Sequence, residues 1–177
     1  MLASIWLQLD GPPETALRSL IESMARAHGT VPFQPHLTVC GPELDPASFE
    51  AASYYVRRSK LLPLTLAKRG ISWSTTVPFR AIVIDVDDTP NIRTFREDLR
   101  RITGAGEPAP PHISLLYAFD GEGGRPSGSS DESKLRAIAD ACAARIAADE
   151  FVLDRPVIVM PDGDWRNIGS WRVVRTL

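Results

Sequence analysis

The sequence predicts a mixed α+β (α/β mixed) fold made of two similar halves whose strands meet in one central cleft. Short apolar strands alternate with helices in the order β-α-β-α-β, followed by β-α-β-α-β-β. The second strand of each half carries the same pattern of proline, histidine, aliphatic, hydroxyl and aliphatic residues. We therefore expect residues 1–177 to form a single bilobal domain with one such segment in each lobe.

Strands and helices of the first half are predicted from apolar spacing and turn residues. A strand at 4–9 contains Trp6 and is closed by a Gly-Pro-Pro turn. Apolar residues at helical spacing predict a helix at 14–27, and an Asp-Pro pair opens another that reaches about residue 58. The remaining predicted strands are 35–41, 62–73 (one strand, or two joined by a bend at 68–70) and 79–86.

The second half follows the same rules. Its predicted helices are 90–102 and the alanine-rich 133–148, and its predicted strands are 112–119, 151–160 and 170–176. A proline-rich joint at 107–111 precedes the first of these strands. The glycine- and serine-rich segment 120–130 is predicted to be a mobile loop, either a lid or a plain surface loop.

Composition narrows the class of protein. Hydrophobic residues make up 44% and charged residues 24% of the chain, as in ordinary globular domains. Twenty Lys and Arg residues against 22 acids give a net charge of −2. This balance disfavours a protein that coats long nucleic acid or an anionic membrane, but it leaves room for a small anionic ligand in one pocket.

The sequence shows no sign of membrane insertion or secretion. No apolar run approaches the roughly 18 residues of a spanning helix, and the N-terminal segment lacks a basic region and soon meets Asp10. Cys40 and Cys142 are interpreted as two reduced thiols of a cytoplasmic protein, with a single bridge as the alternative. We also expect a monomer without contact with a membrane.

The two histidine segments are the most informative feature. One is Pro35-His36-Leu37-Thr38-Val39 and the other is Pro111-His112-Ile113-Ser114-Leu115. Because side chains alternate along a strand, the histidine and the hydroxyl residue share one face and the aliphatic residues share the other. The aliphatic face is expected to pack under the helices, and the polar face to line a wet cleft.

Two imidazoles and two hydroxyls facing one cleft suit phosphate-ester chemistry. One neutral ring can deprotonate water while a charged ring protonates the leaving oxygen, and the hydroxyls can bind phosphate oxygens. No carboxylate or second imidazole accompanies either motif at metal-ligand spacing, so we expect no metal and no other cofactor.

His28-Gly29-Thr30 also fits the pattern of histidine, any residue and hydroxyl. It lacks an aliphatic strand and is followed by glycine, which is typical of the end of a helix. We therefore exclude His28 from the predicted site.

The paired motifs, at corresponding strands of a duplicated chain, resemble those of the two-histidine (2H) phosphoesterases. The segments PHLTVCG and PHISLLY are similar to the cyclic phosphodiesterase branch, in which a tyrosine commonly follows the second motif. The resemblance covers essentially the whole chain. It implies two antiparallel-rich sheets around a central cleft, with the helices outside.

The resemblance also implies an activity and a set of site residues. Such enzymes open nucleoside 2′,3′-cyclic phosphates or ADP-ribose 1″,2″-cyclic phosphate without a metal. By position, His36 would be the general acid and His112 the general base, although the pseudo-symmetry leaves either order open. Thr38 and Ser114 would bind the phosphate, and Tyr117 matches the tyrosine of the family.

Tyr117 and Trp6 each carry a condition. Strict alternation puts Tyr117 on the face opposite His112, so it reaches the cleft only if the strand ends or bulges after Leu115. Trp6 either stacks on a nucleobase at the edge of the cleft or packs in the core.

Other polar residues are given their more ordinary interpretation. Cys40 has the parity of His36, but is interpreted as a packing cysteine. Arg93, Arg96 and Arg100 are at helical spacing and are expected on a solvated helix face. Arg80 is a weaker candidate for a contact with phosphate.

Two other functions stay open. One is an RNA-end enzyme, either a 2′,3′-cyclic phosphodiesterase or a 2′–5′ RNA ligase-like enzyme, for which the acidic chain offers no excess of positive charge. The other is a non-catalytic nucleotide-binding module, which would have no need of a matched acid and base.

Overall fold

The computed structural model describes residues 3–41, 46–107, 109–117, 132–165 and 167–177. Within them the chain forms seven strands and four helices, and the predicted mixed α+β class is confirmed. The strands are β1 (Ser4–Leu9), β2 (His36–Cys40), β3 (Leu64–Trp73), β4 (Ile82–Val86), β5 (His112–Leu116), β6 (Glu150–Pro161) and β7 (Trp171–Thr176). The helices are α1 (Pro12–His28), α2 (Pro46–Arg58), α3 (Pro90–Thr103) and α4 (Glu132–Ala143).

The strands pair antiparallel in the order β1-β2-β5-β4-β3-β6-β7. A further pairing of β1 with β6 closes the first six strands into a ring, with β7 added at β6. The two histidine strands, β2 and β5, are neighbours, and their ladder has one registered pair, Leu37 with Ile113. The fold thus brings the two motifs together where the halves of the chain meet.

The helix ends follow from their flanking residues. Two prolines occupy the first turn of α1, and Gly29 ends it in the left-handed conformation with φ 65°. Thr89 caps α3 by accepting a hydrogen bond from the backbone N–H of Ile92 at 3.4 Å, and Gly104 ends that helix with φ 69°. His28 is the last residue of α1, as its sequence context indicates.

The aliphatic face of the histidine strands forms part of the core. Leu37 and Ile113 are fully buried, α1 packs against β5, and α3 packs against β2. The helices contribute stripes of buried residues at the predicted spacing: Leu17, Leu20, Ile21 and Met24 from α1, and Ile92, Phe95 and Leu99 from α3. With this face covered, the opposite face of β2 and β5 is left for the cleft.

Several predicted boundaries are wrong by a few residues. The strand predicted at 79–86 begins at Ile82, because residues 78–80 form a 3₁₀ turn that starts with a proline. Helix α4 ends at Ala143, not at 148. The segment 62–73 is one strand from Leu64 with a register shift between Lys68 and Gly70. The predicted loop at 120–130 lies outside the described residues.

Both cysteines are free and buried, so they do not form the single bridge that the sequence left open. Cys142 lies 3.9 Å from the sulfur of Met24, between α4 and α1. In the described part of the chain, no helix is long and apolar enough to cross a bilayer.

Candidate active site

A cavity of about 420 Å³ lies over the polar face of β2 and β5. Six predicted site residues line it: Trp6, His36, Thr38, His112, Ser114 and Tyr117. The sequence therefore identified a set of residues that the fold collects in one place.

The register of β2 and β5 sets the relative positions of the two motifs. Because Leu37 pairs with Ile113, antiparallel alternation places His36 beside Ser114 and Thr38 beside His112. Each imidazole therefore lies next to the hydroxyl residue of the other motif. This diagonal arrangement is what a pseudo-two-fold axis through the Leu37–Ile113 pair produces.

Each histidine strand has a β-bulge immediately after its hydroxyl residue. On β2, Thr38 pairs with Trp6 but Cys40 pairs with the adjacent Ile5, so Val39 is the extra residue. The bulge reverses the alternation, and Cys40 enters the core, where its sulfur lies 3.5 Å from Thr103 Oγ1. The predicted packing role of Cys40 holds, but its predicted parity with His36 does not.

The second bulge brings Tyr117 to the cavity. On β5, Ser114 pairs with Val83 but Leu116 pairs with the adjacent Ile82, which makes Leu115 the extra residue. The strand ends at Leu116, and the next side chain lines the cavity on the same face as His112. This is the irregularity that the sequence required for Tyr117 to reach the cleft.

Both imidazoles are oriented by the backbone in the same way. His36 Nδ1 donates to the carbonyl oxygen of Gln34 at 2.6 Å, and His112 Nδ1 donates to that of Pro110 at 2.7 Å. A carbonyl oxygen can only accept, so each Nδ1 carries a proton and the neutral ring keeps Nε2 as an acceptor. Both rings are thus prepared to exchange protons through Nε2.

His36 lies in an aromatic environment. It is only 4% exposed, and the Trp6 ring stacks on it with centroids 3.6 Å apart and planes 8° apart. The Phe33 ring contacts the His36 ring edge-on, with ring centroids 6.1 Å apart. Burial lowers the pKa of His36 to about 4, with a smaller lowering by His112, while the bond to Gln34 acts in the opposite direction. His36 is therefore neutral at pH 7.

His112 lies in a charged environment and is half-buried. Burial lowers its pKa, and the positive charges of Arg80 and Arg96 lower it further. The hydrogen bond to Pro110 and the carboxylate of Asp85 raise it. The two imidazoles thus have similar backbone anchors but different surroundings.

The two hydroxyl residues also differ in their surroundings. Ser114 is buried, and its Oγ donates to the carbonyl oxygen of Phe79 at 3.0 Å. Thr38 is half-buried and lines the cavity. Ser114 must rotate away from Phe79 to donate its proton to a ligand.

Tyr117 connects the aromatic side of the cavity with the histidines. Its ring stacks on Phe33 with centroids 3.9 Å apart, and its hydroxyl lies 3.5 Å from His36 Nε2, the outer limit of a hydrogen bond. Burial raises the pKa of Tyr117, with a hydrogen bond to Ser114 acting in the opposite direction. The phenol therefore stays protonated and can donate to neutral His36.

The second stacking partner of Trp6 is Trp171, with ring centroids 5.6 Å apart. Trp6 is therefore a wall of the cavity that also holds His36 in place, which neither sequence interpretation described.

Several lining residues were missed or undervalued. Arg96 was expected on a solvated helix face, but it is 8% exposed, lines the cavity and donates from Nη2 to the carbonyl oxygen of Ala109. Its position directly after Phe95 on the buried stripe of α3 was the available signal. Arg80 also lines the cavity. Trp165 and Trp171 complete the aromatic wall, and no local motif marks them.

Metal-ligating residues are not grouped in the described part of the chain. No cluster of three or more His, Cys, Asp or Glu side chains that could hold a metal ion occurs among those residues.

Comparison with solved structures identifies the fold. The sequence matches no protein-family model and no curated protein. In structure, the chain is similar to a protein described as a phosphoesterase, with a TM-score of 0.61, 15% identity and coverage of 99% of this chain and 96% of that one. It is also similar to E. coli LigT complexed with ATP (TM-score 0.58, 14% identity, 99% and 96% covered) and with 3′-AMP (TM-score 0.56, 14% identity, 100% and 98% covered). The chain therefore has the fold of the LigT-like two-histidine phosphoesterases.

Proposed function

We propose that the protein hydrolyses a cyclic phosphodiester to a phosphomonoester without a metal, by acid–base catalysis with His36 and His112. The substrate class is a nucleoside 2′,3′-cyclic phosphate or ADP-ribose 1″,2″-cyclic phosphate. The observation that carries the proposal is the pair of imidazoles, each fixed through Nδ1 with an unprotonated Nε2, that line one cavity. The nucleotides held by E. coli LigT support a nucleotide substrate.

The reaction has two parts that the site can perform. A base removes a proton from water, whose oxygen attacks phosphorus, and an acid gives a proton to the ring oxygen that departs. The low pKa of His36 favours it as the base, and we assign the acid to His112. The resemblance implied the reverse order. Thr38 and Ser114 bind the non-bridging oxygens, and Tyr117 and Trp6 bind or orient the substrate beside His36.

A bound phosphate also supplies the charge that the acid needs. Burial and two arginines lower the pKa of free His112, so the ring is mostly neutral at pH 7 before substrate binds. A negative phosphate beside both rings raises the pKa of each of them. Protonation of His112 is therefore coupled to substrate binding.

We further propose that residues 1–177 act as one bilobal domain, as a cytoplasmic monomer, with no cofactor. The RNA-end activities (a terminal 2′,3′-cyclic phosphodiesterase or a 2′–5′ RNA ligase-like enzyme) are the second candidate, because an RNA end presents the same cyclic phosphate. The net charge of −2 favours the small substrate. A non-catalytic nucleotide-binding module ranks third.

The test is hydrolysis of 2′,3′-cyclic AMP in EDTA, with phosphorus NMR to determine whether the product is the 2′- or the 3′-phosphate. ADP-ribose 1″,2″-cyclic phosphate and an oligonucleotide with a terminal 2′,3′-cyclic phosphate are assayed in parallel. Faster turnover of the small substrates supports the first proposal. Affinity that rises with oligonucleotide length supports the RNA-end enzyme, and binding without turnover of all three supports the module.

A further inference from the structure

We propose that Arg80 and Arg96 form a second anion subsite, which binds a phosphate of the substrate other than the reacting one. The inference rests on the proposed function and narrows it to nucleotides that carry a second phosphate.

The first observation is that two cations on the wall of the cavity lack acidic partners. Within the described residues, no carboxylate lies at ion-pair distance from Arg80 or Arg96. The Nε of each guanidinium is buried and has no hydrogen-bond partner, and Nη2 of Arg96 donates to the neutral carbonyl oxygen of Ala109. Burial lowers the pKa of Arg96, and the charge of Asp88, which itself pairs with Arg93, acts in the opposite direction without lying at ion-pair distance from Arg96. A buried cation without an ion-pair partner is costly, and an anionic ligand in the cavity would offset that cost.

The second observation is the position of these arginines. Arg96 is anchored to the segment before β5, and both arginines affect His112 electrostatically. The opposite side, around His36, is built from Trp6, Phe33 and Tyr117. The cavity thus has a cationic side at His112 and an aromatic side at His36.

The acidic residue of the cavity wall does not cancel this charge. Glu107 lines the cavity as well, but it is exposed and forms no ion pair with either arginine. With both histidines neutral, the lining keeps an excess of positive charge. In the proposed mechanism, the reacting phosphate is already surrounded by two imidazoles and two hydroxyl residues. The two arginines are therefore available to bind another anion.

Substrate chemistry indicates where the second phosphate is attached. A 2′,3′-cyclic phosphate occupies both vicinal hydroxyls of the ribose, which leaves the 5′ oxygen for a further phosphate. A cavity of about 420 Å³ lies within the size range of pockets that enclose a whole small ligand. We therefore expect the 5′-phosphate to lie on the cationic side.

The experiment compares adenosine 2′,3′-cyclic phosphate with its 5′-phosphorylated form, for wild type, Arg96→Gln, Arg96→Lys and Arg80→Gln. Arg100→Gln is the matched control, because Arg100 is exposed on the same helix and its loss changes the charge equally. In wild type, the 5′-phosphate should lower KM about tenfold, as expected for charge-assisted hydrogen bonds. Both Gln variants should lose this advantage. Arg96→Lys should keep part of it. Because each arginine also lowers the pKa of His112, the quantity compared is the ratio of the two KM values within one variant, in which a change common to both substrates cancels.

Two results would overturn the proposal: equal KM for the two substrates in wild type, or an equal loss on both substrates in the Gln variants, which would assign the arginines to the reacting phosphate. If Arg96→Gln does not fold, the KM ratios of Arg80→Gln and Arg96→Lys test the proposal instead. A binding measurement distinguishes failure of the second anion subsite from failure of the proposed hydrolytic function. Adenosine 3′,5′-bisphosphate should bind about tenfold more tightly than 3′-AMP, in an arginine-dependent way, even if the protein turns over neither cyclic substrate.

Discussion

The indole of Trp6 stacks on the imidazole of His36 with ring centroids 3.6 Å apart and planes 8° apart. The stack excludes water from one side of the ring that we propose as the base. It thereby contributes to the burial that lowers the pKa of His36 to about 4.

Replacing Trp6 should therefore change the titration of His36. In Trp6→Ala, water reaches the imidazole, and the pKa of His36 should rise towards its ordinary value of 6.5. NMR titration of the ring nitrogens measures this shift. Trp73→Ala, a tryptophan substitution outside the cavity lining, should leave the titration unchanged. A His36 that already titrates near pH 6.5 in wild type would show that burial beside Trp6 does not lower its pKa.

Because of the same group, stability should fall as the pH is lowered. Between pH 6.5 and pH 4 the unfolded His36 binds a proton that the folded one does not, so the free energy of unfolding rises with pH over this window and is lost as pH falls through it. The full shift corresponds to about 3 kcal/mol. Urea unfolding of wild type and His36→Asn at several pH values measures the contribution. The slope should be smaller in the variant, and equal slopes would show that His36 is not the group responsible.

The two hydroxyl residues should separate stability from activity. Ser114→Ala removes the hydrogen bond that Ser114 Oγ donates to the Phe79 carbonyl and should cost about 1–2 kcal/mol of unfolding free energy. Thr38→Ala, at a half-buried position in the cavity, should cost about 0.5 kcal/mol or less. Both should lower kcat/KM, and Thr38→Ser should restore much of the loss. Full activity of Thr38→Ala would remove Thr38 from the phosphate site.

The roles of the histidines can be tested with a leaving group that needs no acid. A 4-nitrophenyl phosphodiester departs without protonation, so His112→Ala should lose much less activity on it than on the cyclic phosphate. His36→Ala should lose activity on both substrates, because water still needs a base. The opposite pattern would restore the order that the resemblance implied.

The sequence predicts this fold and site well where a pattern is local. Alternation around His36 and His112 gives the polar and aliphatic faces correctly, since both strands are regular up to Thr38 and Ser114. Strict alternation assigns Cys40 to the wrong face, because the residue pattern does not show the bulge at Val39. The prediction that Arg96 lies on a solvated helix face was wrong, because it considered only the charge of the side chain. Its position next to Phe95 on α3 buries it.

Longer-range relationships could not be predicted at all. The stack of Trp6 on His36 depends on the register of β1 with β2, and the aromatic wall depends on how β7 reaches Trp6. Such contacts arise from the pairing of strands that are distant in sequence. The register of that pairing cannot be read from the residue pattern of one sequence.

The most direct test of the central claim is a double-mutant comparison of His36→Ala and His112→Ala in EDTA on 2′,3′-cyclic AMP, with His28→Ala as control. Groups that act as one acid–base unit are strongly non-additive. We expect each single variant to lose at least about a hundredfold in kcat and the double variant to lose little more, while His28→Ala, at the end of α1, keeps full activity. A loss of kcat in the double variant equal to the product of the two single losses would contradict a two-histidine mechanism. Turnover that survives in either single variant would contradict it as well.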